Sequence, residues 1–421
     1  MSKVAGEKIR IDDLWEPVLS DIQKQALEYA NTRPVDLDRK VILAAAIEQT
    51  ELEDFGPDDF HERLDLWCDE VNNTPERSAL GRLGLWNDYT RYAANRLRIN
   101  ELLKRHPEIH DVEISRPIIV VGLPRSGTTH LVNLMAADQR LRSMPLWECM
   151  EPVPDPREKP GADGIDPRWQ RCEDAWQAFR ASSPLIASMH PMNPDHVHEE
   201  LELQLPDFTS YNQEWLARAP RWRDYYLAHD QTEHYQYLKT GLKILQWYQP
   251  RDRWVLKCPQ HLEQMGPLMQ TFPDATIVVT HRDPVSVIQS AATILAYGAR
   301  MTHTNPRPDF YFEYWCDRIH RLLSASVRDR HLLPSDRTVD VLFHEFMAGD
   351  VETVRRVYEV AGLPMTNEAG AQIDAYMAAH PRGKDGQVVY NIREDYHAEP
   401  AEVRAPFDFY MNEFDVRVEV K

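Results

Sequence analysis

The sequence predicts an α/β fold behind an α-helical N-terminal extension, and two observations carry that expectation. The stretches PIIVVGLPRSGTTHLVNLMAAD (117–138) and DATIVVTHRDPVSVIQSAATIL (274–295) each run from an apolar β-branched segment through a polar turn into helical apolar spacing. Residues 12 to about 110 instead carry helical periodicity with charged faces and little strand character. The two strand-to-helix turns each contain an arginine. Their strand ends could meet at one crevice, the usual ligand position of an open α/β sheet.

The elements follow in order. Leu85, Trp86, Tyr89, Tyr92 and Leu97 form a packing face for the extension, which spans residues 1–115 and precedes an α/β domain over 116–421. Ile118 to Val121 give the first strand, and Leu131, Leu134 and Met135 the helix after it. The Pro-, Gly- and Asp-rich segment 144–169 reads as a loop. Helical stretches resume at 168–183 and 196–205, followed by a Trp- and Tyr-rich region to 250. RWVLKCPQHL (253–262) reads as a strand ending in a polar turn, and QHLEQMGPLMQTF (260–272) as a helix broken at Pro267. A strand at 338–343, a helix around 350–361 and a polar segment at 380–396 complete the chain.

The first turn is built to hold an anion. Gly122 and Gly127 frame a loop of successive backbone N–H groups, with hydroxyls on Ser126, Thr128 and Thr129. The spacing Gly122-x4-Gly127 matches the first half of a Walker A loop, yet Thr128-Thr129 stands where Lys-Ser/Thr should follow. The cation lies inside the turn, at Arg125, whose guanidinium can fork two oxygens of a phosphate or sulfate.

Composition narrows the partners. With 421 residues, 27% charged and 43% hydrophobic, the chain can bury a large core. A formal charge of −19 argues against nonspecific nucleic-acid binding and against attraction to anionic membranes. Five scattered cysteines without a CxxC pair point to a reducing compartment. No signal-peptide h-region or bilayer-length apolar run is present, so a cytoplasmic location is expected.

At these residues the chain resembles the sulfotransferases that use 3′-phosphoadenosine-5′-phosphosulfate (PAPS), in their bacterial branch. The matching segments are PRSGTTH, LKCPQHL, FPDATIVVTHRDPVSVIQS and RGKDGQVVY, in order from Pro117 to Tyr390, with RLRINELLKRHPEI before them. The resemblance implies a P-loop-like parallel sheet flanked by helices. It implies that Arg125, Ser126, Gly127, Thr128 and Thr129 cradle the 5′-phosphosulfate, that Arg282 and Ser290 bind the 3′-phosphate, and that Arg382 and Lys384 fold over the nucleotide. Many relatives carry a Lys in the first loop where Arg125 stands here. Arginine does not give up a proton, so its help is electrostatic. Lys257 could supply a second cation.

The expected reaction moves a sulfuryl group from PAPS, leaving 3′,5′-bisphosphoadenosine (PAP), to a hydroxyl or amine of a small-molecule acceptor. In-line transfer needs positioning, charge stabilisation by Arg125 and Lys257, and a general base. A sulfuryl group carries less negative charge than a phosphoryl group, so no metal is expected. Two residues compete as base. Glu199, in NPDHVHEELELQLPDFTS, stands where the bacterial branch presents a Glu to the acceptor. His261, four residues after Lys257, needs no tuning to titrate near neutrality. Family position favours Glu199. His196 and His198 form an HxH that could ligate zinc, but no HExxH follows. A small-molecule kinase is the rival enzyme, disfavoured by the absent Lys after Gly127. A noncatalytic nucleotide-dependent binding module is the other alternative. Phe208, Tyr211, Trp215, Trp222, Tyr225 and Tyr226 suit an apolar or aromatic alcohol, although most such rings are core. The helical extension could pair with a second subunit as a homodimer.

Overall fold

The computed structural model describes residues 6–74, 76–383 and 386–421. Among these, seven strands occur: β1 (Lys8–Ile9), β2 (Ile118–Gly122), β3 (Leu141–Arg142), β4 (Arg253–Lys257), β5 (Thr276–His281), β6 (Thr338–Leu342) and β7 (Gln387–Val388). Five of them make a wholly parallel sheet in the order β3-β4-β2-β5-β6. Ile118 registers with Val255 on one side and Thr276 on the other. Because the strands are parallel, the carboxyl ends of β2, β4 and β5 leave the sheet along one edge.

Both sheet faces are covered, which is why β2 and β5 are buried throughout and read as continuous apolar runs. Alternate residues point to opposite faces. Ile119, Val121, Ile277 and Val279 share a core with the helices Pro284–Thr302 and Pro308–Asp329. Ile118, Val120 and Val278 pack instead with Leu131 and Leu134 of the helix after β2 and with Val354 and Val357 of Asp350–Val360.

The N-terminal region supplies helices α1 (Asp21–Asn31), α2 (Arg39–Thr50), α3 (Phe60–Asn72) and α4 (Ala79–Arg105). Ser78 starts α4 by accepting a hydrogen bond from the Gly81 N–H at 3.0 Å. Leu85, Tyr89, Tyr92 and Leu97 are buried and Trp86 is half-buried, and their cluster takes in Leu205, Phe208 and Trp222 from later in the chain. The packing face read from the sequence is therefore core, shared between the helical region and the segment around residue 208. No helix among the described residues is long and apolar enough to cross a membrane.

Two local expectations change, and one strand pairing is added. The stretch 196–205 is helical only from Leu201 onward, as the turn Leu201–Gln204 that runs on into the 3-10 segment Leu205–Asp207. Upstream, the His198 N–H donates to the Met144 carbonyl at 2.8 Å and the Leu146 N–H to the His196 carbonyl at 2.9 Å. A neighbouring strand-like segment thus takes the backbone groups that a helix would use. Pro267 does not break a helix; it is the third residue of Met265–Thr271, where its missing N–H costs nothing. Finally, β1 pairs in parallel with β7, tying the chain start to the segment that follows Gly383 and Gly386.

Candidate active site

The β2 loop is shaped by close approach and positive φ. A Cβ on Gly122 would lie 1.9 Å from the Thr280 hydroxyl, so only glycine lets β2 end against β5. Gly127 has φ of +86° and stands at the N-cap of helix α5 (Thr128–Ala136). It offers no side-chain oxygen, and the first-turn N–H groups of α5 stay available to an anion. Arg125 is left-handed, with φ of +65°, a conformation that costs energy for a residue with a Cβ.

The predicted hydroxyls divide. Ser126 is buried; its hydroxyl lies 2.6 Å from the Leu123 carbonyl and 2.8 Å from the Thr280 hydroxyl, and so braces the loop against β5. The Thr129 hydroxyl accepts from the Lys257 ammonium at 3.3 Å. Thr128 is buried at the cavity wall described below.

Lys257, the last residue of β4, is buried and forms an ion pair with Glu199. The adjacent Glu200 faces the other way. It accepts the Lys257 N–H at 2.8 Å and lies 3.2 Å from His261 Nε2, whose Nδ1 is 2.7 Å from the Tyr235 hydroxyl. Glu200 and His261 are each 1% exposed. The structure therefore separates the two base candidates. Glu199 lines the cavity beside the loop, whereas His261 spends both ring nitrogens on buried partners and is not brought there.

Arg125, Ser290 and Arg282 form one cluster despite their separation in sequence. Arg125 Nε donates to the Ser290 hydroxyl at 3.1 Å, which donates to the Tyr390 hydroxyl at 2.9 Å. Arg282 Nη1 donates to the Arg125 carbonyl at 2.5 Å, and its guanidinium lies 3.8 Å above the Phe343 ring. The outer edge of that guanidinium is taken by Glu419, at 2.9 and 2.8 Å. Asp283 holds the tail by accepting from the Glu419 and Val420 N–H groups. Arg382 lies apart, half-exposed, paired with Asp350 and donating to the Met347 carbonyl at 3.0 Å. Asp350 also meets His130 Nε2 at 3.1 Å. Lys384 lies outside the described residues.

Sequence reasoning missed Tyr390, His130, Asp350 and Glu419. Only Tyr390 and His130 sit inside quoted motifs. Nothing local marks Asp350 or Glu419, whose partners lie 32 and 137 residues away.

A cavity of about 420 Å³ opens beside the loop. Arg125, Thr129 and Glu199 line it, with apolar wall from Leu146, Trp176, Phe179 and Trp215. Of the six rings named from the sequence, Phe208, Trp222 and Tyr226 are core, while Tyr211 and Trp215 reach this cavity. His190 also lines it. Burial, with the nearby charges of Arg125 and Lys257, pushes the His190 ring down to about 3, so it is neutral at physiological pH. A second cavity, about 1240 Å³, runs past His130 and Asn133 to Gly383, and both cavities reach Thr129. No group of three or more His, Cys, Asp or Glu suited to a metal ion occurs among the described residues.

A model of the sulfotransferase family matches residues 117–367, more than half of the chain. Two solved structures are similar over nearly their whole length. Sulfotransferase STF9 from Mycobacterium avium is 26% identical with a TM-score of 0.80, covering 91% of this chain and 98% of its own. Sulfotransferase STF1 from Mycobacterium tuberculosis H37Rv is 26% identical with a TM-score of 0.75, covering 89% and 99%. A comparison with curated protein sequences gives no match.

Proposed function

The chain belongs to the sulfotransferase family, and from that premise we propose that it moves a sulfuryl group from PAPS to a hydroxyl of an apolar small molecule, releasing PAP. The observation that carries this reading is the meeting of two cavities at Thr129, with Lys257 and Glu199 beside it and an anion-binding helix start behind it. A donor held by the loop and the helix start and an acceptor in the first cavity would face each other there.

In this reading the α5 first-turn N–H groups, Thr129 and Arg125 hold the phosphosulfate of the donor, and Ser290 and Arg282 the 3′-phosphate. Arg382 and Lys384 belong to the segment that would lie over the nucleotide. The donor set fits a dianionic ligand, since among the described residues Arg125 spends only Nε, on Ser290. Ser126 contributes its backbone, its hydroxyl being committed inward.

Glu199 is the proposed general base. In the resting site its carboxylate is paired with Lys257. As the ammonium turns toward the sulfuryl oxygens, Glu199 is released to take the acceptor's proton in the same step. Lys257 and Arg125 then stabilise the charge on the migrating group and the leaving phosphate. His261 acts as a positioning residue: through Glu200 it fixes the backbone on which Glu199 is carried.

A thermal-shift comparison of PAP, adenosine 5′-phosphosulfate and Mg-ATP tests the donor assignment, because a ligand that binds only the folded state raises its midpoint. Stabilisation by PAP well above the other two is expected. Preference for Mg-ATP would overturn it.

A further inference from the structure

The acceptor cavity contains a second polar station that transfer itself does not use. Glu202 is 7% exposed and lines the cavity. Its Oε1 accepts from Asn212 Nδ2 at 3.4 Å and lies 3.6 Å from His198 Nε2. Its Oε2 has no hydrogen-bond donor among the described residues; the nearest cation, Arg91 Nη1, stands 3.9 Å away and donates instead to the Met150 carbonyl. His198, 6% exposed and on the same wall, likewise leaves Nδ1 without a partner. Burial works to raise the Glu202 carboxyl, but His198 and Arg91 outweigh it and hold the group below its ordinary range. The oxygen left bare is therefore that of a carboxylate, which buried groups rarely leave unmet.

Resting on the sulfotransferase reading of the same cavity, we propose that Glu202 recognises a second hydrogen-bond donor on the acceptor, a hydroxyl or an ammonium, so that the preferred acceptors are apolar diols or amino alcohols rather than simple alcohols. The spacing follows from the chain. The Glu202 N–H donates to the Glu199 carbonyl at 3.3 Å, so the two side chains leave one turn of backbone and open into one cavity. Side chains three residues apart on a turn have Cβ atoms roughly 5–6 Å apart. One end of a compact apolar scaffold reaches Glu199 and the other end Glu202.

The test compares para-methylbenzyl alcohol, para-benzenedimethanol and para-(aminomethyl)benzyl alcohol, which share shape and differ only in the distal group. Binding is followed by the fluorescence of Trp176 and Trp215 in the cavity wall, and transfer from PAPS is measured in parallel. A hydrogen bond to a buried charge predicts that the diol or the amino alcohol binds roughly tenfold to a hundredfold tighter than the methyl compound. Whichever of the two wins identifies the donor as hydroxyl or ammonium. In Glu202→Gln that ratio collapses toward unity, and Glu202→Asp restores part of it, which a merely structural role would not do. Equal affinity of all three probes for the wild type, or an unchanged ratio in Glu202→Gln, overturns the assignment. Absence of transfer with the binding preference intact would instead count against the sulfotransferase reading alone.

Discussion

Replacing Glu199 by Gln is the most informative perturbation, because it keeps shape and one acceptor oxygen while removing the charge. Two effects follow from the pair with Lys257, whose side chain is 1% exposed against 13% for Glu199. The first is chemical. A positioned general base contributes on the order of 10²–10⁴ in rate, or about 3–5 kcal/mol at the transition state. The second is structural. Breaking a buried ion pair from one side costs about 3–5 kcal/mol; the amide oxygen, the Thr129 hydroxyl and the partial exposure of Glu199 bring this down to about 1–3 kcal/mol. At an unfolding entropy of about 2 cal/mol/K per residue, a chain of 421 residues then loses only about 1–3 °C of midpoint. Single-turnover transfer of radiolabelled sulfuryl from saturating PAPS to an acceptor alcohol measures the first effect, and PAP affinity measured separately controls for binding. A loss of a hundredfold or more with PAP affinity retained is expected. Turnover within tenfold of wild type would refute the base assignment.

Other perturbations reach the remaining parts of the site. Arg282→Ala should weaken PAP by roughly tenfold to a hundredfold, the worth of a charge-assisted pair, and should spare adenosine 5′-phosphate; equal losses in calorimetric titrations of both would remove the 3′-phosphate role. Glu419→Gln frees the outer edge of Arg282. A part-exposed pair is worth about 0.2–1 kcal/mol, so PAP should bind up to about fivefold tighter, and unchanged affinity would mean that tail and nucleotide do not compete. His303 gives a pH dependence. Burial, with the charges of Arg77 and Arg218, pushes its ring down to about 2. The unfolded chain takes up this proton near pH 6.5 and the folded chain does not, so stability is full above that pH and falls as pH drops toward 2. Urea unfolding at pH 6.5 and 5 should differ by about 2 kcal/mol from this group. His303→Gln should remove that part of the slope, and identical slopes in both proteins would sink the argument.

What could be read from the chain is what its local chemistry decides. The β2 loop, its two glycines and the start of α5 were legible because turn geometry, β-branching and helical spacing act over a few residues. The same holds for β5 and for β6 apart from its last residue. The pair Glu199-Glu200 was not legible, because adjacent identical residues differ only through what lies across from them. The Lys257 N–H and His261 claim Glu200, while the Lys257 ammonium claims Glu199. A helix over 196–205 looked sound from propensity, and the carbonyl and N–H groups of Met144 and Leu146 displaced its first half. His261 had the right residue type for a base, yet Tyr235 and Glu200 had already taken both its nitrogens. Each of these outcomes turns on a partner more than 25 residues away, and each decides direction rather than presence. Sequence can nominate the groups that carry charge and protons; which of them turns toward the cavity is settled by long-range partners, and in this chain Glu200 settles it for both base candidates at once.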